Sequence, residues 1–329
     1  MDTLSELSLE FTRWLQSNYP NLEPFFSGIS ALGGFEFYLF ILTIIYWCLE
    51  KKLGRAMAYV LIFSYAFNTM AKHFLRDTRP YWLNPDIGLK SEENYGMPSG
   101  HAQQVTVFLG MIAMYFRRLW IWIVACILIL LMALSRVYLG VHDIDDVIAG
   151  IILGALILVG YDIWNRFVAR RFANRILGQR LLLAILVPIV LVAVYAAVLF
   201  IIGTPRPRGE IADYFSLAER NSLDEMAQSV GFLLGSGVGF VLEVSRVRFK
   251  VTGSFWRRFA RYFVGIIVAA VIWLGLGELF PEEPVGLALP FIFFRSIIVS
   301  FWIAYFAPWT FVRLKLADAH PEPEVTLTL

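Results

Sequence analysis

Residues Leu181–Gly203 read LLLAILVPIVLVAVYAAVLFIIG, 23 consecutive positions without a charged side chain. A helix rises about 1.5 Å per residue, so a run of this length crosses the roughly 30 Å hydrocarbon core of a bilayer. Comparable runs occur at residues 33–49, 55–74, 100–116, 119–135, 145–164, 227–244, 262–280 and 286–307. Together they predict an all-α fold, a polytopic membrane helical bundle of about nine transmembrane helices. The composition of the 329 residues agrees: 58% are hydrophobic and only 16% are charged, and the mean hydropathy is +0.66. Soluble domains carry roughly 25% charged residues. The numbers argue against a soluble enzyme, a disordered chain and a disulfide scaffold. Cys48 and Cys126 both fall inside apolar runs and read as buried, inert thiols.

The flanks of these runs set the expected organisation. Leu4, Leu7, Leu9, Phe11 and Leu15 recur at helical spacing among polar residues, predicting an interfacial helix and lead-in over 1–32. No basic region followed by an apolar core opens the chain, so the first span is expected to act as the targeting signal. Lys and Arg collect on alternate loops, 18 on one side and 9 on the other, with Arg295 inside the last span. Cytoplasmic loops are the basic ones. This places the N-terminus outside and the C-terminus in the cytoplasm. A membrane core at 33–164 carries the polar clusters described next. A basic cytoplasmic connector at 165–180 leads to additional transmembrane helices at 181–307, and a cytoplasmic tail at 308–329 follows, polar and read as disordered after Lys315.

Three polar clusters sit at span ends in the first half, all on the expected outer side. Ionisable groups beside a bilayer are costly, so such clusters are functional candidates. In Lys72–Pro80, Lys72 and Arg79 stand two helical turns apart, and Pro80 should turn the chain at Arg79. Alone, this stretch would equally suit a basic helix end touching lipid head groups. In Tyr95–His101, Ser99 reads as an N-cap, and Gly100 would let an anion approach the free N–H groups of the next turn. An ordinary capped helix start is the competing reading. In Ser135–Asp146, His142 and Asp146 are four apart beside Arg136. A carboxylate on one imidazole nitrogen fixes the tautomer and leaves the other as nucleophile or base. Asp143 and Asp145 also suit a plain acidic first turn.

As a set, the residues suit phosphoryl chemistry. Lys72, Arg79, Arg136 and a helix N-terminus can hold a phosphoryl group and stabilise its transition-state charge. Two histidines, His101 and His142, supply a nucleophile and a general acid. No group of residues has the spacing of a metal site, so neither metal nor other cofactor is expected.

Lys72–Pro80 fits K-x6-R-P, Pro98–His101 fits P-S-G-H, and Ser135–Asp146 fits S-R-x5-H-x3-D. In order and spacing the three motifs resemble those of the type 2 phosphatidic acid phosphatase superfamily, over about residues 33–164. The resemblance implies that His142 attacks phosphorus and becomes phosphohistidine, with Asp146 orienting it. It further implies that His101 protonates the leaving group and later activates water. Lys72, Arg79, Ser99, Gly100 and Arg136 would then bind the phosphoryl oxygens. Members are similar in needing no metal and in facing the periplasm, the outside or an organelle lumen. Nine spans with an outside N-terminus look more like the sphingosine-phosphate phosphatases and glucose-6-phosphatases of that superfamily. The segment Tyr95–Gln103 looks more like dolichyl-diphosphate phosphatases.

The expected activity is therefore metal-independent hydrolysis of a lipid phosphate or diphosphate, of the polyprenyl diphosphate, phosphatidate or sphingosine-phosphate type. The expected location is the bacterial cytoplasmic membrane with the site facing the periplasm or outside, or alternatively the endoplasmic reticulum membrane. Partners are a lipid phosphate and the bilayer, not nucleic acid, and no feature of the sequence sets an oligomeric state. Competing readings are a phosphotransferase on the same site and a transporter or scramblase with a vestigial pocket. Arg206, Arg208 and Arg220 in an outer loop could touch a head group, although a solvated loop balanced by Glu210, Asp213 and Glu219 suits them better.

Overall fold

The computed structural model describes residues 3–205, 209–281 and 283–321. Arg206, Arg208 and the tail from residue 322 lie outside them. The described regular structure is helical, and one isolated bridge pairs Phe249 with Ala319. The helices are α1 (Thr3–Asn18), α2 (Glu23–Ala31), α3 (Phe35–Ile44), α4 (Lys51–Leu75), α5 (Pro80–Leu83), α6 (Gly100–Phe116) and α7 (Leu119–Tyr138). They continue as α8 (Ile144–Phe167), α9 (Ala169–Ala173), α10 (Leu177–Ile202), α11 (Ala212–Leu242), α12 (Phe255–Leu279), α13 (Val285–Phe301) and α14 (Ala307–Arg313).

Every apolar run read from the sequence lies on a helix, yet among the described residues fewer than nine helices have the length and composition of a span. Six do, namely α7, α8, α10, α12, α11 with its continuation to Val247, and Val285–Arg313. A seventh is counted if the bent pair Pro20–Ala31 and Phe35–Leu49, inclined by 51°, is one span. The shortfall has a physical cause. Helix α6 is 17 residues long and buries ten of them in protein, so its apolar residues serve packing. Helix α4 is long enough but carries Lys51, Lys52, Arg55, Lys72 and His73.

The chain divides into two compact units. The first comprises Met1–Tyr38, Ser64–Val159 and Ala196–Leu223; the second comprises Leu39–Phe63, Gly160–Tyr195 and Asp224–Leu329.

In the first unit, α6 and α7 pack along each other, joined by Arg117 at φ 52° and Arg118. Helix α8 approaches α6 closely because Gly150 and Gly154 have no side chain. A Cβ at Gly150 would lie 2.5 Å from the Ser99 carbonyl oxygen and 3.2 Å from the Ala102 Cβ. Gly150→Ala is therefore expected to cost about 1–3 kcal/mol of overpacking and to lower activity as well, since the displaced atom belongs to Ser99. Thermal melting and turnover of the purified variant check both effects.

Helix α1 docks by a face that mixes polar and apolar side chains, with Leu15 buried in a core shared with Phe26 and Tyr138 and Leu9 packed against it. Ser8 and Thr12 are buried, whereas Leu4, Leu7 and Trp14 are each more than half exposed. The Ser8 hydroxyl accepts from the Ile144 N–H at 3.1 Å, and the Thr12 hydroxyl donates to the Val137 carbonyl at 3.2 Å. The Gln16 amide donates to the carbonyls of Ile87 (2.9 Å) and Tyr138 (2.8 Å). Three polar side chains spaced four apart thus satisfy backbone groups around the α7–α8 turn, groups that would be costly to bury unpaired. Leu4, Leu7 and Phe11 of the apolar stripe remain on the outer surface, where they suit a bilayer interface.

The second unit has its own core around the fully buried Trp47, Phe249, Phe311 and Ala304. Arg261 ties it together, its guanidinium donating to the carbonyls of Trp47 (2.6 Å), Val251 (3.2 Å), Thr252 (3.0 Å) and Leu316 (2.9 Å). Buried Lys51 meets Glu243 at 3.0 Å, and Arg55 lies 3.9 Å from the same carboxylate. Residues just after Lys315 pair back rather than trailing away: the Lys250 N–H donates to the Asp318 carbonyl and the His320 N–H to the Arg248 carbonyl. Cys126 is exposed, contrary to the expectation of a buried thiol, because α7 turns that face out of the protein; Cys48 is buried.

Candidate active site

Helix α4 ends at Leu75, and Arg76 takes a left-handed backbone with φ 50°. The helix therefore does not persist from Lys72 to Arg79. The residue before a proline is pushed to extended backbone, and Arg79 sits at φ −84°, ψ 149° with Pro80 opening α5. The two cations nevertheless converge, because they share an acceptor. The Lys72 ammonium donates to the Tyr95 carbonyl and, at 2.8 Å, to that of Gly96. The Arg79 guanidinium donates to the same Tyr95 carbonyl at 3.1 Å, to the Asn94 carbonyl at 2.6 Å and to the Asn94 side chain. Both cations are almost wholly buried.

Ser99 occupies the N-cap position of α6, but its side chain makes no capping bond. Its hydroxyl is buried and has no partner among the described residues. Buried polar groups are ordinarily paired, so this donor is held in reserve at the start of a helix whose first N–H groups suit an anion. The Ser99 N–H donates to the Asp146 carbonyl at 2.9 Å, fixing the start of α6 against the first turn of α8. Arg136, near the end of α7, has no solvent exposure; it donates to the Ser30 hydroxyl and to Glu92. Its Nε is a second buried donor without a partner among the described residues.

His142 stands in the turn between α7 and α8. Gly140 makes that turn at φ 70°, and a Cβ there would lie 2.0 Å from the Ile87 carbonyl oxygen, so no other residue fits. His142 precedes α8 rather than lying on it, and the four-residue spacing still brings the pair together. Its Nδ1 lies 2.9 Å from Asp146 Oδ2, which also accepts the Asp143 N–H at 3.1 Å. A carboxylate accepts only, so Nδ1 carries the proton and Nε2 keeps its lone pair. That Nε2 is 3.3 Å from Arg79 Nη1, and the same Nη1 donates to the Val141 carbonyl at 2.8 Å.

Burial first, and then the positive charges of Arg79, Lys72 and Arg136, hold the His142 imidazole well below its ordinary pKa. At neutral pH it is the uncharged, nucleophilic form. His101, in the first turn of α6, lies within electrostatic reach of Arg136, Glu92 and Arg79.

All eight residues singled out from the sequence thus fall in the first unit. Lys72, Arg79, His142 and Asp146 are linked by direct bonds or a shared acceptor and Ser99 through its backbone; Arg136 binds Glu92, Gly100 opens α6, and His101 follows it within electrostatic reach of Arg136 and Glu92. The sequence reading missed Glu92, Asn94 and Tyr95. Burial raises the Glu92 carboxyl, but the charges of Arg136, Arg79 and His101 outweigh it and hold it far below the usual range. Its only sequence signal is a carboxylate in the polar stretch Lys90–Asn94, a pattern shared by any solvated loop.

A family model for the PAP2 superfamily matches residues 53–170, and one for the transmembrane extension of PAP2 superfamily phosphatases matches residues 227–319. The chain belongs to the PAP2 superfamily. It is an integral membrane protein. It is 29% identical over 153 residues to lipid phosphate phosphatase delta of Arabidopsis thaliana, covering 42% of this chain and 37% of that one. It is 30% identical over 145 residues to sphingosine-1-phosphate phosphatase 2 of Mus musculus, 41% of each chain. Undecaprenyl-diphosphatase of Sulfolobus acidocaldarius is 33% identical over 110 residues, 32% of this chain and 52% of that protein. The matched region thus spans between 37% and 52% of these relatives' lengths. No solved structure matches the chain significantly.

Proposed function

We propose that the protein is a membrane phosphatase that hydrolyses a lipid phosphate or diphosphate through a phosphohistidine on His142, at the face of the membrane away from the cytoplasm. The observation that carries this reading is the His142–Asp146 contact of 2.9 Å, which leaves Nε2 as a lone-pair donor beside the Arg79 guanidinium. In the first step Nε2 attacks phosphorus and the bond to the leaving oxygen breaks. His101 gives that oxygen its proton. In the second step His101 takes a proton from water, whose oxygen attacks the phosphohistidine, releasing phosphate and restoring His142. Lys72, Arg79, Arg136, the Ser99 hydroxyl and the N–H groups opening at Gly100 stabilise the charge on the equatorial oxygens. These fixed cations do the electrostatic work that a metal would otherwise do. The named activities of the three relatives, on lipid phosphate, sphingosine 1-phosphate and undecaprenyl diphosphate, support a lipid-borne phosphate. So do the large exposed apolar side chains of the spans, such as Leu119 and Phe200.

The test is phosphate release by detergent-purified protein in the presence of EDTA. The panel is polyprenyl diphosphate, phosphatidate, phosphatidylglycerol phosphate, sphingosine phosphate and glucose 6-phosphate. Release is expected from at least one lipid, resistant to EDTA. The acid limb of kcat/KM reports the free-enzyme group that must be unprotonated. Because the His142 pKa is depressed, that limb is expected below pH 6.5, the value of an ordinary histidine. No release from any lipid, or release abolished by EDTA, would contradict the proposal.

A further inference from the structure

The carbonyl that gathers Lys72 and Arg79 belongs to Tyr95, in a stretch of chain outside regular helix, so something must hold that residue in place. Its ring is fully buried between Trp82, at 6.3 Å between centroids, and Phe215 of α11, at 5.5 Å. Its hydroxyl donates to Glu219 Oε1 at 2.7 Å. Burial, and after it the Glu219 carboxylate, push that hydroxyl above its ordinary pKa, so it remains a donor.

Glu219 also binds the end of α4. It accepts from Arg76 Nε at 2.7 Å and Nη2 at 3.2 Å, and His73 Nε2 lies 2.9 Å from it. His73 follows Lys72 directly, and Arg76 is the left-handed residue that stops α4. Arg76 also donates to the Gly203 carbonyl at 2.7 Å. One carboxylate therefore ties the end of the helix carrying Lys72 to the residue whose carbonyl holds both Lys72 and Arg79. Glu219 lies between the two family matches, which end at residue 170 and resume at 227.

We infer that Glu219, on α11, is a positioning residue for the phosphate-binding cations, acting through the Tyr95 hydroxyl. It touches no reacting atom. Its charge-assisted hydrogen bonds are the strong kind, and a partly buried network of this sort loses geometry when any member is removed. A helix from beyond the catalytic motifs thereby enters the chemistry by setting where two cations point.

The inference rests on the phosphatase reading for its purpose but can be measured without hydrolysis, with vanadate as a phosphoryl probe. The variants are Tyr95→Phe, which removes one hydroxyl, Glu219→Gln, which keeps the volume, and the double variant. Each single change is expected to weaken vanadate binding about tenfold, while the melting temperature stays within a few degrees. The double variant should be no weaker than the worse single one, because both changes break the same contact. Lower melting with unchanged vanadate affinity would show a merely structural role and overturn the inference, as would fully additive losses. Wild-type protein that binds vanadate but releases no phosphate would contradict the proposed activity and leave this inference to be judged on the variants. Wild-type protein that binds no vanadate would remove both.

Discussion

His142→Ala is expected to lower lipid phosphate hydrolysis by about 10⁴-fold or more, the scale of losing a covalent nucleophile. The fold should survive. The Arg79 guanidinium keeps its bonds to Val141, Asn94 and Tyr95, and Asp146 keeps the Asp143 N–H. The Ser99–Asp146 backbone bond that joins α6 to α8 is also untouched. The loss should therefore appear almost wholly in kcat. Binding of a non-hydrolysed phosphonate analogue should change little, since the three cations remain. Steady-state kinetics with analogue titration and a melting curve on the same preparation separate these outcomes. Residual turnover within tenfold of wild type would remove His142 as nucleophile.

Arg79→Lys tests whether charge or shape matters at the same site. Charge is preserved, so a purely electrostatic role would leave activity nearly intact. The guanidinium instead uses three nitrogens at once, reaching Asn94 and Tyr95 on one side and Val141 and the His142 Nε2 on the other. A lysine ammonium is a point donor and cannot hold those carbonyls together while facing the imidazole. We expect kcat/KM to fall by roughly 10²–10³-fold, comparable to removing one transition-state donor. A loss smaller than about threefold would show that position 79 supplies charge alone.

Much of this site is legible in the sequence because its signals are local. The H-x3-D spacing brings His142 to Asp146 even though the helix starts between them. Pro80 imposes extended backbone on Arg79, and Ser99 lands at a helix start as its motif suggests. A helix continuing from Lys72 would align it with Arg79, but α4 stops at Leu75. The two meet through a backbone carbonyl, and spacing says nothing about backbone acceptors. The partners of α1 were hidden for a related reason. Periodicity marks which face is apolar, but Ser8, Thr12 and Gln16 dock by satisfying backbone groups more than 70 positions away. Glu219 lies 124 residues from Tyr95, and in the sequence it read as one more charge in a solvated loop. The span count fell short because α6 is only 17 residues long and opens with His101, Gln103 and Gln104, and because α4 carries basic residues at both ends.

The most direct measurement is a search for the covalent intermediate. Purified protein is mixed with a lipid phosphate carrying labelled phosphorus, quenched in alkali within the first turnover, digested and analysed by mass spectrometry. Phosphohistidine survives alkali and is lost in acid. The account predicts acid-labile label on the peptide containing His142 and none in His142→Ala. Turnover with no label on His142, or label that persists in His142→Ala, would contradict it.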